Sequence, residues 1–128
     1  MSYYFTKTLK GVSFEDAIER TKEALKKEGF GVVAEIDFQK TLKEKLDVDF
    51  RKYRVLEACN PPYALKSLTA DDKIGTVLPC NFIVQEKEGE IEVSSIDPVA
   101  AMTAVENGEM KAIAAEISQK LNRVVASL

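Results

Sequence analysis

The sequence predicts an α+β fold: a two-layer sandwich in which a curved, mostly antiparallel five-stranded sheet carries two long helices on one face. Three observations predict it. Segments of helical periodicity stand near the two ends of the chain, one opening at Ser13 and one over about residues 108–126. Short runs rich in aromatic and β-branched residues recur between and before them. The later runs are joined by connections too short for parallel crossovers, which need about a dozen residues or more.

Each element has a local reason. Residues 3–9, Tyr-Tyr-Phe-Thr-Lys-Thr-Leu, read as a first strand that Gly11 breaks. Ser13 opens a helix with Glu15 and Asp16 in its first turn, and Asp16 sits three positions on, as in a capping box. Phe14, Ala17, Ile18, Thr21 and Leu25 form its apolar stripe, and Gly29 follows Lys26 and Lys27 as a C-cap. The acidic first turn makes Gly11 a turn rather than a phosphate loop. Residues 30–36 give a second strand, with Phe30, Val32, Ala34 and Ile36 on one face. Asp37 caps a short helix carrying Phe38, Leu42 and Leu46. Residues 51–58 are a third strand. Asn60-Pro61 then reads as an N-cap and first-turn proline, so a short helix spans about 61–68 and a loop covers 69–75. Residues 78–86 and 90–96 are strands joined through Glu88-Gly89, a hairpin signal. Asp97-Pro98 repeats the cap-plus-proline device. The last helix carries Met110, Ile113, Ala114, Ile117, Leu121, Val124 and Val125 at helical spacing.

A single domain accounts for all 128 residues, with 45% hydrophobic and 30% charged side chains. The net charge of −3 and the lack of a basic stretch argue against nucleic-acid binding. No apolar run approaches the roughly 18 residues of a membrane span. The start of the chain lacks a signal-peptide pattern, so a cytoplasmic setting with reduced thiols is expected. Histidine is absent, which removes Ser-His and Cys-His nucleophile pairs and every imidazole metal ligand.

Two segments concentrate the remaining chemistry: Ala58-Cys59-Asn60-Pro61-Pro62 and Leu78-Pro79-Cys80-Asn81. Cys59 ends the third strand and Cys80 begins the fourth, so antiparallel pairing would bring both thiols together. They fit two small buried apolar side chains. They also fit a reactive thiol at Cys59, just before a helix N-terminus whose partial charge favours thiolate, with Cys80 as its partner. Two cysteines fall short of the four ligands of a structural zinc, so no metal is expected. Asn60 and Asn81 fit backbone capping, or two amides orienting a small polar ligand. Glu57 shares a face with Val55 and Cys59 on regular alternation and is expected on the exposed sheet face.

The segments Tyr53-Arg54-Val55-Leu56-Glu57-Ala58-Cys59-Asn60-Pro61-Pro62, Ile74-Gly75-Thr76-Val77-Leu78-Pro79-Cys80-Asn81 and Asp97-Pro98 resemble the domain-of-unknown-function family numbered 302. The resemblance implies a fold like that of the TATA-binding protein, a curved sheet gripping helices, often as a homodimer. It implies no DNA binding, since a fold does not carry a function. This chain departs from the family pattern at Glu57, where members often have glycine, and at Leu65, where they often have histidine or an aromatic residue.

The expected function is therefore a ligand-binding or accessory module, cytoplasmic and homodimeric. A small molecule would sit between sheet and helices at a rim of Cys59, Asn60, Cys80 and Asn81, with Glu57 a further candidate. The alternative from another class is a thiol-dependent enzyme or redox sensor using Cys59 and Cys80. A third possibility is that the two segments only shape one corner of the fold. The dimer contact is expected on the sheet face away from the helices, which alternation assigns Tyr4, Thr6, Thr8, Val33, Ile83, Glu92 and Ile96.

Overall fold

The structure is a computed structural model and describes residues 2–128. The chain runs β1 (Tyr4–Leu9), α1 (Phe14–Lys27), β2 (Gly31–Asp37), α2 (Phe38–Leu46), β3 (Tyr53–Cys59), α3 (Pro61–Ala70), a 3-10 turn (Ile74–Val77), β4 (Cys80–Lys87), β5 (Glu90–Ile96), α4 (Pro98–Ala101) and α5 (Gly108–Ala126). The strands form one sheet in the order β1-β5-β4-β3-β2, antiparallel throughout. This is the predicted α+β architecture, with β1 and β2 as the open edges.

Ser13, Asp37 and Asp97 make the capping contacts expected of them, whereas Asn60, the fourth predicted N-cap, makes none to its own helix. Ser13 Oγ accepts from the Asp16 amide at 3.1 Å. Asp37 Oδ1 accepts from the Lys40 amide at 3.0 Å. Asp97 Oδ1 accepts from the Val99 amide at 3.0 Å and from Ser118 Oγ at 2.9 Å, which ties α4 to α5. Glu88 and Gly89 take φ of 53° and 79°, the left-handed values of a two-residue hairpin turn. Helix α1 ends in a Schellman motif: the Phe30 amide donates to the Leu25 carbonyl and the Gly29 amide to that of Lys26.

The core lies between the sheet and helices α1 and α5. Leu56, Phe82, Val84 and Val93 are fully buried from the sheet. Ile18, Leu25, Met110 and Leu121 meet them from the helices. Register sorts the two sheet faces. The row Leu56-Phe82-Ser95-Phe5 faces the helices, and the row Val55-Ile83-Ser94-Thr6 faces away.

Three expectations change. The second strand does not alternate throughout: register shifts between Val32 and Ala34, leaving Val33 as a β-bulge. One extra residue inverts the facing of all that follows. Phe30 and Val32 therefore pack on the core side, while Ala34 and Ile36 pair with Glu57 and Val55 on the other face. Val33 leaves the open face altogether and stands 64% exposed. The loop expected at 69–75 is largely structured. Helix α3 continues to Ala70, and Asn107 bridges from its end, donating Nδ2 to the Ala70 carbonyl at 3.1 Å and accepting from the Met110 amide. Ile74 then buries itself in the 3-10 turn.

Candidate functional site

Helix α3 and the 3-10 turn lie over the end of the sheet where β3 stops and β4 starts. Between them is a cavity of about 290 Å³. Its wall is almost wholly apolar, formed by Phe30 and Ala58 from the sheet side, Ala64 and Leu68 from α3, Leu78 from the turn and Ile117 from α5. Cys59, Asn60 and Cys80 also line it, so three of the four residues of the predicted rim meet at one place.

Asn81 does not join them. Successive strand residues point to opposite faces. Cys80 pairs with Ala58 on the helix side, whereas Asn81 pairs with Glu57 on the open side. Asn81 lines a different concavity there, and Glu57 is its half-buried register neighbour.

Asn60 is buried and stands at the N-cap of α3, yet its side chain does not cap that helix. Its Nδ2 donates to the Glu28 carbonyl at 3.3 Å, across to the last turn of α1. Gly29 makes room for this: its φ is +86°, and a Cβ there would lie 3.1 Å from Asn60 Nδ2. Asn60 thus sets how the mouth of the cavity is built.

Both thiols are free, Cys80 buried and Cys59 half-buried. Burial pushes the Cys80 thiol up to about 11, and neighbouring Cys59 adds to the rise. Cys80 is therefore protonated near neutral pH and is an apolar wall group there. Below the cavity the helices are cross-tied. The Glu28 carboxylate accepts from Arg123 at 2.9 Å and lies 3.8 Å from Lys120. The Arg123 hydrogen bond holds that carboxyl below its usual range. The neighbouring Glu116 carboxylate holds the pKa of the Tyr63 hydroxyl above its usual value.

The family described as "Domain of unknown function DUF302" matches residues 5–128. The chain belongs to the DUF302 family. A similar solved structure is the crystal structure of the uncharacterized conserved protein DUF302 from Bacillus stearothermophilus, with 29% sequence identity, 98% of each chain covered and a TM-score of 0.91. Among curated proteins none matches this DUF302 chain. Among the described residues no helix is long and apolar enough to cross a membrane, and no group of three or more His, Cys, Asp or Glu could hold a metal ion.

Sequence reasoning missed two features of this region. Gln85 and Ser94 are buried on a sheet face that no long helix covers, and Arg51 bonds to Gln85 over that face. Only the register of β4 against β3 and β5 reveals that these residues converge, and one sequence does not contain it.

Proposed function

We propose that this chain is a non-catalytic binding module that holds a small, predominantly apolar molecule in the cavity beneath α3. One observation carries the reading: about 290 Å³ of space lined by apolar side chains, with few polar groups to fix a ligand's orientation. Asn60 is engaged with Glu28, and the Cys80 thiol is neutral, so recognition rests on shape and apolar contact. The thiol-enzyme alternative has less support, because its resolving partner Cys80 is buried with a pKa of about 11 and carries little thiolate near neutral pH.

The proposed setting is the cytoplasm, where two free thiols persist. The proposed assembly is a homodimer. Tyr3 and Tyr4 stand exposed in edge-to-face contact, 5.1 Å between ring centroids, at one end of the open sheet face. Exposed tyrosines of this kind favour interfaces.

Native mass spectrometry of protein purified without metal-affinity steps tests the reading, alongside an NMR titration with indole as an apolar probe. The wild type should retain a small molecule or show saturable shifts at Ala58, Tyr63, Ala64 and Leu68. An Ala64→Phe variant, which fills the cavity, should lose both. A bare protein mass with no indole response rejects the reading. A covalent adduct on Cys59 replaces it with the thiol alternative.

A further inference from the structure

The second concavity lies on the opposite face of the sheet and measures about 480 Å³. That volume falls within the range of about 300–1,000 Å³ seen for ligand sites. Its floor is the row Ile83-Ser94-Thr6, where the Thr6 and Ser94 hydroxyls are 2.9 Å apart. Ile96, diagonal to Ile83 across the β4–β5 ladder, adds a second apolar residue to the lining.

At one end stands Arg51, and its guanidinium is held in place from two directions. It stacks over the Phe50 ring at 4.4 Å and lies 5.9 Å from the Tyr53 ring. Its Nε donates to Gln85 Oε1 at 2.8 Å. Buried Gln85 is fixed in turn, donating Nε2 to Glu92 Oε1 at 3.0 Å. The relay orients the guanidinium through its inner nitrogen. Among the described residues its two Nη groups have neither an acceptor nor an ion-pair partner. Every other charge around this concavity has a partner: Glu92 takes the Gln85 hydrogen bond and lies 4.0 Å from Lys87.

A planar, pre-oriented guanidinium with its outer edge free is a receptor for a planar anion, which it grips with two parallel hydrogen bonds. One unpaired cation matches a single negative charge, which favours a carboxylate over a doubly charged phosphate. We infer that the open sheet face carries a second ligand site, for a small amphiphilic carboxylate: its carboxylate on Arg51 and its apolar body over Ile83 and Ile96. This site is separate from the cavity beneath α3 and does not depend on it.

The probe is 4-phenylbutyrate, titrated against isotope-labelled protein and compared with the uncharged 4-phenylbutyramide. Amide shifts should saturate at Arg51, Ile83, Gln85 and Ser94. Arg51→Met should weaken binding at least about tenfold, the expected loss for a charge-assisted pair. The neutral amide should bind the wild type no better than the acid binds that variant. Arg51→Lys should fall between, keeping the charge without the fork. Arg51 is exposed, so both variants should fold. An unchanged affinity in Arg51→Met overturns the inference. So does equal binding of acid and amide, saturation only at Ala64 and Leu68, or no binding at millimolar probe.

Discussion

Replacing Gly29 with alanine should destabilise the chain more than the same change at Gly11, and the difference measures the Asn60 contact. Both glycines have left-handed backbones, φ +86° and +70°. An L-residue in that conformation costs about 1–2 kcal/mol, a term common to both sites. A Cβ on Gly11 would meet nothing within 4 Å. On Gly29 it would lie 3.1 Å from Asn60 Nδ2, the atom that donates to the Glu28 carbonyl at 3.3 Å. Asn60 must then give way and weaken that bond, which is worth about 1 kcal/mol. Gly29→Ala should therefore lose about 2–3 kcal/mol against about 1–2 for Gly11→Ala, a gap of roughly 4 °C in Tm for a domain of this size. Urea unfolding of both variants supplies the numbers, and Asn60→Ala supplies the control. In the Asn60→Ala background, Gly29→Ala should cost no more than Gly11→Ala, because the contact is already gone. Equal losses in the wild-type background would refute the reasoning, for glycine would then serve only the backbone conformation.

Two further outcomes follow from the same geometry. The folded chain holds the Cys80 proton more tightly than the unfolded chain, whose thiol titrates near the ordinary 9.0. Between about pH 9 and about 11 the native state binds more protons, so stability falls as pH rises through that window. Urea midpoints of wild type and Cys80→Val compared across it should show a shallower decline in the variant, and parallel declines would dismiss the thiol as the cause. If the homodimer forms on the tyrosine rim, Tyr4→Lys should shift sedimentation at micromolar concentration toward monomer by burying an unpaired charge; a monomeric wild type rejects the dimer itself.

Local chemistry made most of the fold legible. Ser13, Asp37 and Asp97 announce helix starts by residue type, and Glu88-Gly89 announces a hairpin, because each acts on amides within a few positions of itself. Val33 shows where legibility stopped. Val32-Val33-Ala34 satisfies simple alternation as well as a bulge does, and only pairing with Ala58 and Glu57 decides between them. The candidate site divided along the same line. Cys59, Asn60 and Cys80 converge because the ends of β3 and β4 meet, which topology predicted. Asn81 faces away because it is one residue past Cys80, and that parity was available in the sequence. The Arg51–Gln85–Glu92 relay was not, since it joins residues distant in sequence through strand register alone.

Glu28 is where three helices are joined. Its carbonyl takes the Asn60 amide at the start of α3, and its carboxylate takes Arg123 and Lys120 of α5, while its own chain ends α1. The tie between α1 and α5 at this point thus rests on partly solvated ion pairs, and the tie to α3 on a backbone hydrogen bond. Such pairs are weakened by salt over a Debye length of about 8 Å at physiological ionic strength, and apolar walls are not. Acid acts in the same direction, since protonating Glu28 below its lowered pKa leaves only its backbone contact. Salt or acid should therefore loosen the tie between α1 and α5 at the Glu28 carboxylate, while the Asn60 bond, made to the backbone carbonyl of the same residue, persists.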